Sequence, residues 1–162
     1  METEEILKEK FSWARYLPLI KNVGYAAGVN YGLKNAKGEH LLILNPDIII
    51  TKEAVKKMLD FMENNQKIGI LGPQLLDFNG TIQRSYFRFY TPLTILARRT
   101  FLGKLPFLRK AQKKSLMLDT DPNKIQYPDW IMGSALMISR KAIEKRILEE
   151  LLEKQRFSLF IK

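Results

Sequence analysis

Cysteine is absent from this 162-residue chain, and histidine occurs once, as His40. The first absence excludes disulfides and thiolate-held metals, and it suits a reducing cytoplasm. The second excludes a multi-histidine centre, so any metal here is a hard cation held by oxygen. Apolar runs of the roughly 18 residues that a membrane-spanning helix needs are missing as well. The first five residues include Glu2, Glu4 and Glu5, and such an acidic start does not read as a secretory signal. There is no internal repeat and no low-complexity tract.

Acid is also missing from one long stretch. Between Arg98 and Lys114 lie Arg98, Arg99, Lys104, Arg109, Lys110, Lys113 and Lys114, which carry +7 of the net +10. Apolar residues interleave with them: Phe101, Leu102, Leu105, Pro106, Phe107 and Leu108. A basic segment with apolar anchors suits the surface of an anionic membrane. A solvated charged face is the plainer reading, and both stay open on the residues alone. No RNA-binding signature accompanies the charge, so nucleic acid is disfavoured.

What is present describes an ordinary globular chain. It is 46% hydrophobic and 27% charged, and its length suits one domain with a real core. Helical spacing is read over Glu4 to Ala14 and over Tyr25 to Ala36, and Thr51 can cap a helix whose face is Val55, Met58, Leu59 and Met62. A further helix is expected over Ala142 to Leu152. Short apolar runs predict strands at Leu17 to Ile20, Leu41 to Leu44, Ile68 to Gly72, Gln83 to Phe89 and Trp130 to Ile138. Asp77 to Gly80 is a turn signal, and Asp119 to Pro128 a polar loop. This alternation predicts an α/β fold with a mostly parallel sheet flanked by helices.

Three stretches can carry chemistry. Asn22 to Gly32 places Gly24 and Gly28 at a helix start, where backbone N–H groups suit a phosphate. The spacing fits neither a Walker loop nor the dinucleotide GxGxxG pattern, and on spacing alone small residues for tight helix–sheet packing are the preferred explanation. Asn45-Pro46-Asp47 ends the Leu41–Leu44 strand, which reads as buried on both faces. A carboxylate delivered at the carboxyl end of a buried strand stands where open α/β sheets bind ligands. A turn capping the next helix is the alternative. Asp129 to Ala135 offers the Trp130 face and Gly133, either as a sugar-stacking platform or as a core strand.

Taken in order, the segments NVGYAAGVNYG, GEHLLILNPD, IGILGPQLLDFNGTIQRS and DWIMGSALMISRKA resemble the family 2 glycosyltransferases of the GT-A (Rossmann-like) fold. Within the family they look most like the bacterial rhamnosyltransferase-like branch, which builds surface polysaccharides. The likeness runs from about Leu17 to about Lys145. It implies a nucleotide-diphosphate sugar donor, a glycan or lipid-linked acceptor, and inverting, metal-assisted transfer. Asn22, Gly24, Gly28, Asn30, Asn45 and Asp47 would line the donor site, with Asp47 holding Mg²⁺ or Mn²⁺. Asp129, Trp130 and Gly133 would stand on the acceptor side. The likeness implies a cytoplasmic enzyme, and the basic segment adds peripheral contact with the inner face of the membrane.

Two family segments have no counterpart here. One is the opening strand with a Val-Asp-Asn-x-Ser-like stretch, and the other is a Phe-x-x-Glu-Asp stretch that supplies the general base. The resemblance therefore implies a GT-A domain incomplete at both ends, with its catalytic base unassigned, so a catalytically inactive fragment that retains at most weak nucleotide binding stands as the alternative to an active transferase. Glu149, Glu150 and Glu153 lie on an amphipathic helical pattern and read as solvent facing. An exposed strand edge would favour homo-oligomers and lower stability.

Overall fold

The computed structural model describes residues 2–99 and 105–144. The expected helix over Ala142 to Leu152 is seen only in its first turn. Its remainder, with Glu149, Glu150 and Glu153, lies outside the described residues, as do Lys104 and the side chains of Arg98 and Arg99. The chain divides into two units, residues 1–36 and 37–162.

The first unit holds two helices, α1 (Glu2–Lys10) and α2 (Tyr25–Asn35). Glu4 and Lys8 pair across one turn of α1 at 2.8 Å. The guanidinium of Arg15 donates to the carbonyl and the side-chain oxygen of Asn35, both at 3.3 Å, which ties the connecting loop to the end of α2. The strand expected at Leu17 to Ile20 does not form. This stretch is irregular, and Ile20 is fully exposed, so no neighbouring strand rewards extension.

The second unit is built on three strands. β1 (His40–Leu44), β2 (Ile70–Leu71) and β7 (Ala135–Ser139) form a sheet in the order β1-β7-β2. Both pairings are antiparallel, from His40↔Ser139 to Leu44↔Ala135 and at Ile70↔Ile138 and Leu71↔Met137. The α/β class holds, but the mostly parallel pairing is corrected. β1 and β2 run in the same direction without being neighbours, because β7 returns between them. Central position also decides burial. Ala135 to Ile138 are all buried, whereas β1 buries only Leu41 and exposes Leu44. The burial on both faces expected of β1 belongs to β7.

Helix α3 (Lys52–Asn64) covers this sheet. Thr51 caps it, accepting from the Ala54 N–H at 3.2 Å, and Asn65 closes its other end. Its spacing brings Met58 and Met62 onto Met137, with Leu42, Val55, Leu59 and Leu71 around them. Each such methionine contributes about 1.5–3 kcal/mol of transfer free energy. Gly72 follows β2 at a close approach: a Cβ there would lie 2.9 Å from Cγ2 of Ile131.

Four two-residue strands make two small ladders. β3 (Leu75–Leu76) and β4 (Ile82–Gln83) form a hairpin. Its turn is the expected Asp77–Gly80, with Gly80 at φ 79°. β5 (Tyr86–Phe87) pairs with β6 (Trp130–Ile131). The strands expected at Gln83 to Phe89 and at Trp130 to Ile138 are therefore each broken in two. The physical reason is a change of partner. The Met132 N–H donates to Ser85 at 2.7 Å, and Ser134 then gives its carbonyl to Asn45 at 2.9 Å.

The basic segment enters two helices that pack together, α4 (Pro92–Arg99) and α5 (Pro106–Ser115). Two arginines fix the chain beyond them. Arg84 donates to the carbonyl of Met117, a buried residue in the left-handed region at φ 50°. Arg88 donates to the Lys114 carbonyl and to both oxygens of Asp119, each at 2.9 Å. α6 (Arg140–Glu144) follows β7, its Ala142 N–H donating to Ser139 Oγ at 3.3 Å.

Candidate donor and acceptor sites

The residues singled out from the sequence fall in both units. Asn22, Gly24, Gly28 and Asn30 belong to the first. Asn22 Oδ1 accepts from the Gly24 N–H at 2.9 Å and folds the chain into the helix start. Gly24 stands at φ 81°, where a side chain would be strained, so glycine is required there. The N-cap makes no side-chain hydrogen bond, which leaves the first N–H groups of α2 to other acceptors. A Cβ at Gly28 or Gly32 would meet nothing within 4 Å among the described residues. Desolvation pushes the neighbouring Tyr25 phenol above its ordinary value. Asn30 is half-buried on the same helix.

Asn45, Asp47, Asp129, Trp130 and Gly133 belong to the second unit. The Asn45 N–H donates to the Ser134 carbonyl at 2.9 Å, and its own carbonyl accepts from Ile48 at 3.2 Å. Asn45 to Ile48 is therefore a turn with Pro46 in the position where a fixed φ is favourable. It does not cap α3, a task that Thr51 performs. The two readings of this motif are compatible: the turn exists, and it leaves Asp47 exposed at the carboxyl end of β1. Among the described residues no hydrogen bond or ion pair engages the Asp47 carboxylate. The same bond to Ser134 brings Gly133 beside the turn in sequence terms, one residue from the anchor.

Asp129 and Trp130 sit farther along the same segment. Asp129 Oδ2 accepts from the Phe89 N–H at 2.8 Å, and the Asp129 N–H donates to Phe87 at 3.0 Å. Its carboxylate thus fixes the chain entering α4. The Trp130 ring stacks on Phe87 at 4.4 Å and lies 6.4 Å from Tyr90 at a tilt of 60°. One indole face is thereby covered by the cross-strand partner. The Tyr86 hydroxyl on the same ladder is buried with no hydrogen-bond partner among the described residues.

Sequence reasoning missed the fixtures of this region. Ser134 acts through its carbonyl, which any residue offers, and no signal could have marked it. Arg84 and Arg88 stand four apart outside the basic run, a spacing that could have been noticed. The Arg88 guanidinium, hydrogen-bonded to Asp119, holds that carboxyl below its ordinary value. For a metal, the described residues contain no group of three His, Cys, Asp or Glu side chains able to form a cage. The donor set fits one kind of cation only, a hard ion held by a single carboxylate with phosphate and water completing its shell.

Comparison with known proteins gives this arrangement its context. One curated relative is an uncharacterized glycosyltransferase of Methanocaldococcus jannaschii, 31% identical over 90 residues. That match spans 52% of this chain and 31% of the relative, so the chain covers about a third of its length. No solved structure matches the chain. The family model described as "Glycosyl transferase family 2" matches residues 1–129. The chain belongs to glycosyl transferase family 2.

Proposed function

We propose that this chain acts in glycosyl transfer from a nucleotide-diphosphate sugar to a glycan or lipid-linked acceptor. The observation that carries the reading is the Asn45–Ile48 turn. It is pinned to β7 through Ser134, and it leaves the Asp47 carboxylate exposed beyond the carboxyl end of β1. Asp47 is the residue that would hold Mg²⁺ or Mn²⁺, with phosphate and water completing the shell. When bound, the cation supplies positive charge at the leaving diphosphate.

The chain's own residues do the rest. The N–H groups at the start of α2, left open behind Gly24, bind phosphate oxygens. The stacked Phe87–Trp130 pair offers apolar ring surface to the C–H faces of an acceptor sugar, and Asp129 holds that platform to Phe89. A rhamnosyl-type donor on deoxythymidine diphosphate is the first to try, because the order of motifs resembles that branch. Transfer proceeds with inversion, by a single displacement at the anomeric carbon.

The test is a panel of nucleotide sugars with Mg²⁺ or Mn²⁺, read both as turnover and as calorimetric binding of the free nucleotide diphosphate. The expected result is metal-dependent binding that falls to background in Asp47→Ala. Binding or turnover that survives this substitution unchanged would overturn the role given to Asp47.

A further inference from the structure

Helix α4 is packed with its small side toward the protein. Thr94 and Ala97, three residues apart, are its buried positions, at 2% and 4% exposure. The Thr94 hydroxyl is satisfied by the Thr91 carbonyl at 2.7 Å, so burying it leaves no polar group unpaired. Leu93, Ile95 and Leu96 are left outside, at 43%, 49% and 44%. A surface helix ordinarily does the reverse, turning its large aliphatic residues to the core.

Helix α5, packed beside it, continues the pattern with charge. Leu108 and Ser115 face inward and are buried. Phe107, at 57% exposure, shares a face with Lys110 and Lys114 through the i, i+3, i+7 spacing. Arg109 and Lys113 are exposed too, round the helix from Phe107 on the side beyond Lys110. Among the described residues none of Arg109, Lys110 and Lys113 is in an ion pair. The nearest acid along the chain, Asp119, is already held by Arg88. The pair of helices therefore shows aliphatic and aromatic side chains next to uncompensated positive charge.

We propose that the α4–α5 helix pair is a docking surface for an anionic lipid bilayer. Phe107, Ile95 and Leu96 enter the headgroup boundary, while Arg109, Lys110 and Lys113 meet lipid phosphates. Charge complementarity selects this occupant, because the patch's Arg109, Lys110 and Lys113 carry charge that no acid among the described residues pairs. Its exposed aliphatic residues distinguish it from a nucleic-acid face, which pairs basic residues with polar or stacking groups. No helix among the described residues is long and apolar enough to cross a membrane. The patch shares no residue with the Asp47 turn, and the inference does not depend on the proposed chemistry.

Vesicle co-sedimentation of the full chain tests it, with phosphatidylcholine alone and with phosphatidylcholine containing phosphatidylglycerol. Binding is expected only with the anionic lipid, and it should weaken as salt is raised. Each basic residue near the surface contributes about fivefold in affinity. The triple variant R109Q/K110Q/K113Q should thus lose about a hundredfold while keeping its melting temperature, since all three side chains are exposed. The variant L96S/F107S should bind more weakly than the parent at every salt concentration, including those at which charge is screened. Equal binding to both vesicle types would overturn the proposal, as would an unchanged affinity in the triple variant. A polynucleotide that binds L96S/F107S as well as the parent, with no vesicle binding by either, would also overturn it and reassign the patch to nucleic acid.

Discussion

Helices α3 and α4 are both amphipathic, and they use their apolar sides in opposite ways. α3 presses Met58 and Met62 onto the sheet, where β7 supplies a fully buried aliphatic partner. α4 buries Thr94 and Ala97 and shows its leucines and isoleucine to the outside. Hydrophobic periodicity locates an apolar stripe but does not say what covers it. For α3 the cover is the chain itself. For α4 the larger side chains have no such cover among the described residues, and the region is held by polar fixtures instead. Arg88 on Lys114 and Asp119 is the clearest of these.

Four substitutions measure that contrast. Met62→Ala should have the largest effect, a loss of about 2–5 kcal/mol in urea unfolding, because it empties the best-packed part of the α3 interface. A loss below that range would mean α3 is packed no more firmly than α4. Thr51→Ala removes the α3 cap and should cost about 1 kcal/mol in the same assay. Asp119→Asn should cost less, under about 1 kcal/mol, since the pair with Arg88 is largely exposed. Its pH dependence sharpens the point. The folded Asp119 carboxyl lies below its ordinary value. Its contribution is therefore fully present above the unfolded value and fades as pH falls through the folded one. The gap in melting temperature between parent and variant should be constant near neutrality and close in acid. Leu96→Ser should have the smallest effect, within about 0.5 kcal/mol, because the residue is already exposed. A strongly destabilised Leu96→Ser would show that α4 does bury its apolar side.

Much of this was legible beforehand. The Thr51 cap, the Met58–Met62 face, the Asp77–Gly80 turn and the proline stop after β1 follow from local chemistry, and each formed as read. The errors share a cause, which is dependence on distant partners. β1 is as aliphatic as β7, yet it lies at the edge of the described sheet, and nothing within Leu41–Leu44 encodes that. Antiparallel pairing follows from β7 returning between β1 and β2 across a long connection. Trp130 to Ile138 carries the composition of one strand, but the bonds of Met132 to Ser85 and Asn45 to Ser134 divide it. At the candidate site the Asp47 turn was readable. Its anchor on a backbone carbonyl was not.

The approach of Gly72 to Ile131 has a consequence for how this protein tolerates change. A single methyl group at position 72 would stand 2.9 Å from Cγ2 of Ile131. Ile131 is itself buried, and it adjoins both Trp130 and the Met132 amide that grips Ser85. Added bulk there cannot stay local. It works like a shim slipped under one leg of a table, tilting the aromatic platform although no atom of that platform has been altered. A residue with no side chain thus sets the alignment of a neighbour rich in them, and a mutational screen of the Phe87–Trp130 stack should include position 72 beside the ring residues themselves.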